Sequence, residues 1–244
     1  MQVTPPEATP QRRDLRVAAL ILLAACLLEW LDFDRSIARL LFYHPAAHGW
    51  IGNGPGAWWA RDLLHSGGRW LVRCVAAAAL ACWALSFVLH QLASWRRQAL
   101  FVFAGMVLVT ATAGLLKVLT GVDCPWDLSG FGGERPYVTL FGNRPDYLPA
   151  ARCFPGAHSS SGFALMGIYL ALRDDCARLA RIALGVALIV GTLFAIGQQA
   201  RGAHFLSHDL TSVALSWWML ATLHARMFGV GTRVAPAVAE AEPA

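Results

Sequence analysis

The stretch Arg201-Gly-Ala-His204-Phe-Leu-Ser-His208-Asp209 decides how this chain is read. It sets an arginine, two histidines and an aspartate between two apolar runs, about Ile182 to Gln198 and Leu210 to Met227. Each run approaches the ~20 residues that cross a bilayer. Ionisable groups at such a junction are costly in lipid, so they face a wet cavity and mark a site. Working outward, Lys117 closes another apolar run, and Arg152, His158, Ser159 and Ser160 lie at the entry to a further one. The expectation is that these clusters meet on one side of a membrane.

Composition supports the membrane. The 244 residues are 57% hydrophobic and 14% charged, against roughly 25% charged in soluble domains. Six apolar runs, about Leu15–Leu31, Trp70–His90, Ala99–Leu119, Ser159–Leu172, Ile182–Gln198 and Leu210–Met227, predict an all-α polytopic protein with six transmembrane helices. The organisation expected is a cytoplasmic N-terminal arm over 1–14, a membrane domain over 15–228 and a flexible tail over 229–244. No small-residue cleavage site follows the first run, so it is expected to remain as an anchor. Residues 32–42 have the spacing of an amphipathic helix lying on the membrane surface. Trp50, Trp58 and Trp59 suit interfacial anchors. Gly121 to Phe154 forms a long outer loop of the functional or mobile kind.

The net charge is +5, but no interleaved basic and aromatic run suits nucleic acid. The surplus serves topology and anionic headgroups. Arginines concentrate at Arg96–Arg97, at Arg173–Arg181 and in the termini, which the positive-inside rule assigns to the cytoplasm. Counting spans then puts Lys117, His158 and His204 together on the outer face.

A nucleophilic imidazole needs one nitrogen free and the other held by an acceptor. Asp209 or His208 suits that role for His204, and His208 shares its face if the segment is helical. His204, His208 and Asp209 also resemble a metal site, although Phe205 stands where a His-Glu-x-x-His motif has its glutamate. Lys117, Arg152 and Arg201 add three cations, and Ser159 and Ser160 add hydroxyls at a helix N-terminus, a combination that fits a phosphate. Of six cysteines none forms a C-x-x-C pair, and Cys26, Cys74 and Cys82 are expected to pack as small hydrophobes.

Three blocks resemble the type 2 phosphatidic acid phosphatase (PAP2) superfamily of membrane phosphatases. Its outline is Lys-x6-Arg-Pro, Pro-Ser-Gly-His and Ser-Arg-x5-His-x3-Asp. This chain has Lys117-x6-Cys124-Pro125, Pro155-Gly-Ala-His158, and His204 followed by Phe205-Leu-Ser-His208-Asp209. Cys124 and Gln198 take the places of the two arginines, Gly156 and Ala157 replace Ser-Gly, and the aspartate comes one residue late.

The resemblance implies His204 as nucleophile, forming a phosphohistidine, and His158 as acid, with Asp209 or His208 orienting His204. Lys117, with Arg152 and Arg201 substituting for the missing arginines, is expected to bind phosphate without a metal or cofactor. Cys124 and Cys153 flank two motifs on the outer side and are expected to pair. The implied substrate is a phospholipid, polyprenyl or lipid A phosphate, with Phe131, Tyr137, Phe141 and Tyr147 shaping the choice. The implied location is a bacterial inner membrane, with the site facing the periplasm. Rival readings are a lipid phosphotransferase, a metal-dependent intramembrane hydrolase and an inactive scaffold.

Overall fold

The structure, a computed structural model, describes residues 10–47 and 49–229. Most of the expected N-terminal arm and C-terminal tail therefore lies outside the described residues. Residues 10–14 are already helical, because α1 spans Pro10–Trp30. α2 (Phe33–Leu41) is the amphipathic segment. A small hairpin follows, with β1 (Tyr43–His44) antiparallel to β2 (Gly49–Trp50). A π-helical segment, Trp59–Gly67, then runs directly into α3 (Gly68–Leu85). α4 is Arg96–Thr120. α5 (Ala157–Phe163) and α6 (Met166–Leu172) are two pieces of one interrupted helix. α7 (Ala177–Ala200) and α8 (Leu206–Phe228) complete an all-helical bundle.

Among the described residues three helical stretches are long and apolar enough to cross a membrane: Trp59–Leu85, His90–Asp127 and Ala177–Ala200. The remaining helices owe their polarity to where they sit. α8 turns Ser207, His208, Asp209, Ser212, Ser216 and His224 into the protein. α5 and α6 are wrapped by α4, α7 and α8, with Phe163, Leu165, Met166 and Leu170 in the main core beside Phe101, Met106, Phe194 and Leu220. A helix enclosed by protein need not be uniformly apolar, which is why the fourth run reads as short.

Inside a bilayer, lipid is as apolar as leucine, so helices associate through close packing rather than hydrophobic exclusion. α5 and α7 do this at Gly162 and Gly191. A Cβ on Gly162 would lie 2.8 Å from the Gly191 Cα, and one on Gly191 would lie 2.3 Å from the Phe163 ring. Cys26 and Cys74 are exposed on the bundle surface and Cys82 is half-buried.

The two ends of the bundle differ in chemistry. At one end Arg173 binds Asp14 at 3.0 Å, Gln98 binds Asp175 at 3.1 Å, and Arg97 reaches the Met227 carbonyl. The other end gathers the finish of α4, the start of α5, the finish of α7 and the start of α8. There the outer loop is clamped rather than loose. Asp123 is buried and accepts from both Arg135 and Arg144, and Cys153 N–H donates to the Val122 carbonyl at 3.0 Å. Phe131 is buried against Tyr43, Trp50 and Phe205. Trp50 therefore belongs to an aromatic cluster and is not an interfacial anchor, whereas Trp58 is exposed.

Cys124 and Cys153 are disulfide-bonded, with 29 residues of sequence separation and Cα atoms 5.1 Å apart. Closing a loop of that length restricts the unfolded chain by about 3–4 kcal/mol in the chain-entropy model. Denatured protein should titrate four thiols before reduction and six after it. The Cys124→Ser, Cys153→Ser double variant should unfold at a lower temperature.

α2 does more than lie on a surface. Its Asp34 is buried, and its carboxylate accepts from the Ser207 N–H at 3.0 Å, satisfying a free amide at the start of α8. Burial pushes the Asp34 carboxyl up to about 6, against the downward pull of its contacts with Ser207. The unfolded chain ionises near 3.8, so the stabilising term is complete below that pH and is lost as pH rises to about 6. The stability of wild type relative to Asp34→Asn should thus fall by about 3 kcal/mol between about pH 3 and pH 7 and then level off. Thermal unfolding of both proteins in detergent across that range reads this out.

Candidate active site

His204 and Phe205 precede α8 rather than belonging to it, and Phe205 is extended at φ −88°, ψ 169°. Helical spacing therefore does not govern the His204 neighbourhood. The chain drops from His204 into the first turn of α8, which brings Asp209 beneath the imidazole. His204 Nδ1 lies 2.9 Å from Asp209 Oδ1. His208 points elsewhere, edge-on to the Phe154 ring, with its Nδ1 buried and lacking a partner among the described residues. Of the two residues expected to orient His204, the structure brings Asp209 to it.

Asp209 is itself held on all sides. Ser159 Oγ lies 2.7 Å from Oδ1, and Gln199 Nε2 donates to Oδ2 at 2.8 Å. A carboxylate oxygen placed against an imidazole nitrogen accepts from it, so the His204 proton sits on Nδ1 and the Nε2 lone pair is free. The Ser159 hydroxyl is therefore engaged with Asp209 and, within reach at 2.9 Å, the Gly156 carbonyl. Ser160 is buried, with its Oγ lacking a partner among the described residues. Neither serine lines the cavity described below, contrary to their expected use as substrate donors. Gly156 must lack a side chain, because a Cβ there would lie 2.7 Å from the His204 ring and 2.3 Å from Ser159 Oγ.

His204, His158 and Lys117 line one cavity of about 500 Å3. His158 Nε2 is 3.0 Å from the Leu64 carbonyl. A carbonyl only accepts, so His158 carries a proton on Nε2 and Nδ1 is the free nitrogen. The Leu64 carbonyl comes from the π-helical segment, whose wide turns commonly mark functional positions. Lys117 comes from the last turn of α4 and makes no hydrogen bond or ion pair among the described residues. Below these groups the wall turns apolar, through Val72, Ala76, Met106 and Val107.

The expected arginines are elsewhere. Arg152 is exposed and is not among the cavity residues. Arg201 donates to Gln198 Oε1 at 3.0 Å and lines a separate hollow with Asn53 and Arg61. Phe141 and Tyr147 are exposed, and Phe131 is buried in the aromatic cluster, so the outer-loop aromatics do not touch the cavity. Among the described residues no three His, Cys, Asp or Glu side chains are grouped to hold a metal ion.

Sequence reasoning overlooked His65, Arg69 and Arg73, which also line the cavity. The signal was present. Residues 65, 69 and 73 recur every fourth position, the spacing of one helical face. The second apolar run reads from Trp70, which obscures it, whereas the helix begins eleven residues earlier, at Trp59.

With this geometry in view, a family model described as the PAP2 superfamily matches residues 98–230. The chain belongs to the PAP2 superfamily. The match takes in Lys117, His158, His204 and Asp209, and it leaves out the π-helical segment and α3. The fold is similar to that of a crystal structure of a transmembrane PAP2 type phosphatidylglycerolphosphate phosphatase from Bacillus subtilis. The TM-score is 0.50 and the identity 17%, covering 88% of this chain and 94% of that one. No curated protein matches the chain.

Proposed function

We propose that this PAP2 protein is a membrane phosphatase that hydrolyses a lipid phosphate through a phosphohistidine on His204. The observation that carries this reading is the His204–Asp209 contact at 2.9 Å, with the same imidazole lining a cavity shared with His158 and Lys117. That contact leaves Nε2 as an unprotonated nucleophile.

In the first step His204 Nε2 attacks phosphorus and a P–N bond forms. The P–O bond to the lipid breaks, and its electron pair leaves on the ester oxygen. Protonated His158 gives that oxygen the proton on Nδ1 while the Leu64 carbonyl keeps hold of Nε2–H. In the second step His158 Nδ1 accepts a proton from water, whose oxygen attacks phosphorus. The P–N bond breaks, phosphate departs, and His204 is restored. Asp209 stabilises the positive charge that the His204 ring carries in between. Lys117 faces the non-bridging oxygens. Phosphoryl transfer asks mainly for such positioning and charge stabilisation.

An amphiphilic substrate suits the cavity, with cations at its mouth and apolar side chains along its wall. The site end of the bundle is read as the outer face of a six-span membrane protein. This rests on Arg96, Arg97, Arg173, Arg178 and Arg181 gathering at the opposite end.

The test is phosphate release by purified protein from phosphatidate, phosphatidylglycerol phosphate and polyprenyl diphosphate, with chelator present. Release that persists in chelator and disappears in His204→Ala supports a metal-independent histidine mechanism. Release abolished by chelator and restored by a divalent metal overturns it. Product analysis in the same assay distinguishes water from a second lipid as acceptor.

A further inference from the structure

We propose that Arg69 is the anchor for the substrate's phosphoryl oxygens, with His65 beside it as a neutral N–H donor. The π-helical segment and α3, outside the family match, would thus supply the binding side of the site. This rests on the cavity being the phosphate site argued above.

Arg69 and His65 line the cavity together with His204, His158 and Lys117. Arg69 makes no hydrogen bond, ion pair or ring contact among the described residues, so its guanidinium is uncommitted. Arg73 shares the cavity, and Arg152 is exposed outside it. Arg201 is held by Gln198, Arg61 pairs with Asp62, and Arg73 sits over the Trp70 ring at 5.2 Å. Arg69 and Lys117 together match the charge of a phosphate monoester dianion. The planar fork of an arginine also grips two oxygens at once, which a lysine cannot do.

The state of His65 follows from a chain of donors. Arg201 can only donate, so the Gln198 atom it meets is the amide oxygen. The Gln198 nitrogen then faces His65 Nδ1 at 3.0 Å and must donate to it. His65 Nδ1 is therefore an acceptor, and its proton lies on Nε2. The His65 ring centroid is 4.7 Å from that of His158. A neutral donor there adds a hydrogen bond to phosphate without repelling the protonated His158 that the leaving group requires. Gln198 occupies a motif arginine's place, and its task here is to set this tautomer.

The experiment uses the full-length protein in detergent. Inorganic phosphate binding is measured by calorimetry in a His204→Ala background, and steady-state kinetics are measured in the otherwise wild-type chain. Arg69 is exposed and has no partner among the described residues, so Arg69→Ala should fold normally. It should weaken phosphate binding by about tenfold or more and lower kcat/KM by about a hundredfold, with Arg69→Lys recovering part of both. His65→Phe, which removes the donor, should weaken phosphate binding by about three- to tenfold. Arg61→Ala, altering an exposed pair outside the cavity, should stay within about twofold.

Phosphate affinity within twofold of the parent in Arg69→Ala overturns the anchor, and the same result in His65→Phe removes His65 from it. If the wild type turns over lipid phosphates and Arg69→Ala matches it, the anchor fails while the phosphatase reading stands. If no lipid phosphate is hydrolysed yet phosphate binding depends on Arg69, the activity reading fails and the anchor stands. Absence of both binding and turnover ends both.

Discussion

His204→Ala should lower lipid phosphate turnover by about four orders of magnitude, or about 5 kcal/mol in the barrier. The size of the effect comes from what the imidazole replaces. Without it, water must attack a phosphate dianion directly, with no covalent intermediate to divide the barrier. Removing the ring also leaves Asp209 a buried carboxylate still satisfied by Ser159 and Gln199 at 2.7 and 2.8 Å, so the fold should survive the change. The decisive measurement pairs steady-state phosphate release with trapping of labelled protein in an alkaline denaturing quench. Wild type should hold an acid-labile, base-stable phosphoryl group and His204→Ala none. Labelling that persists in the variant would move the nucleophile to another residue.

Asp209→Asn should reduce kcat by about a thousandfold or more while changing KM little. The substitution is nearly isosteric, so its effect is electronic and tautomeric. An asparagine at 209 can turn an N–H toward His204 Nδ1, which pushes the imidazole proton to Nε2 and occupies the attacking lone pair. It also withdraws the negative charge that balances the positive ring in the intermediate. Three donors converge on this carboxylate, from His204, Ser159 and Gln199, so Ser159→Ala and Gln199→Ala should each give a smaller loss in the same direction. A single-turnover burst in Asp209→Asn as fast as in wild type would show that the carboxylate does not serve the chemical step.

The helical class and the membrane setting were legible from composition and from runs of apolar residues. So was the neighbourhood of the candidate site, because His204 and Asp209 sit in a polar stretch that is costly in lipid. The partner of His204 was not legible. Helical periodicity favoured His208, four residues on, but the helix starts only at Leu206 and the imidazole lies outside it. The same kind of boundary error hid Arg69. A helix read as starting at Trp70 leaves that residue in a loop, whereas the helix that starts at Trp59 presents it, with His65, to the cavity. Arg152 and Arg201 lie near the histidines in sequence, yet nearness along the chain does not set which way a side chain points.

By itself the sequence determined that this is an apolar helical bundle with ionisable residues concentrated at the ends of its hydrophobic runs, because solvation energy is local and can be summed residue by residue. Only the tertiary structure decided which of those residues share a cavity, which proton each imidazole carries and which cation is left unpaired. Those outcomes depend on the directions of a few bonds between segments far apart in the chain, such as Leu64 with His158 and Gln198 with His65. No sum over local preferences contains them.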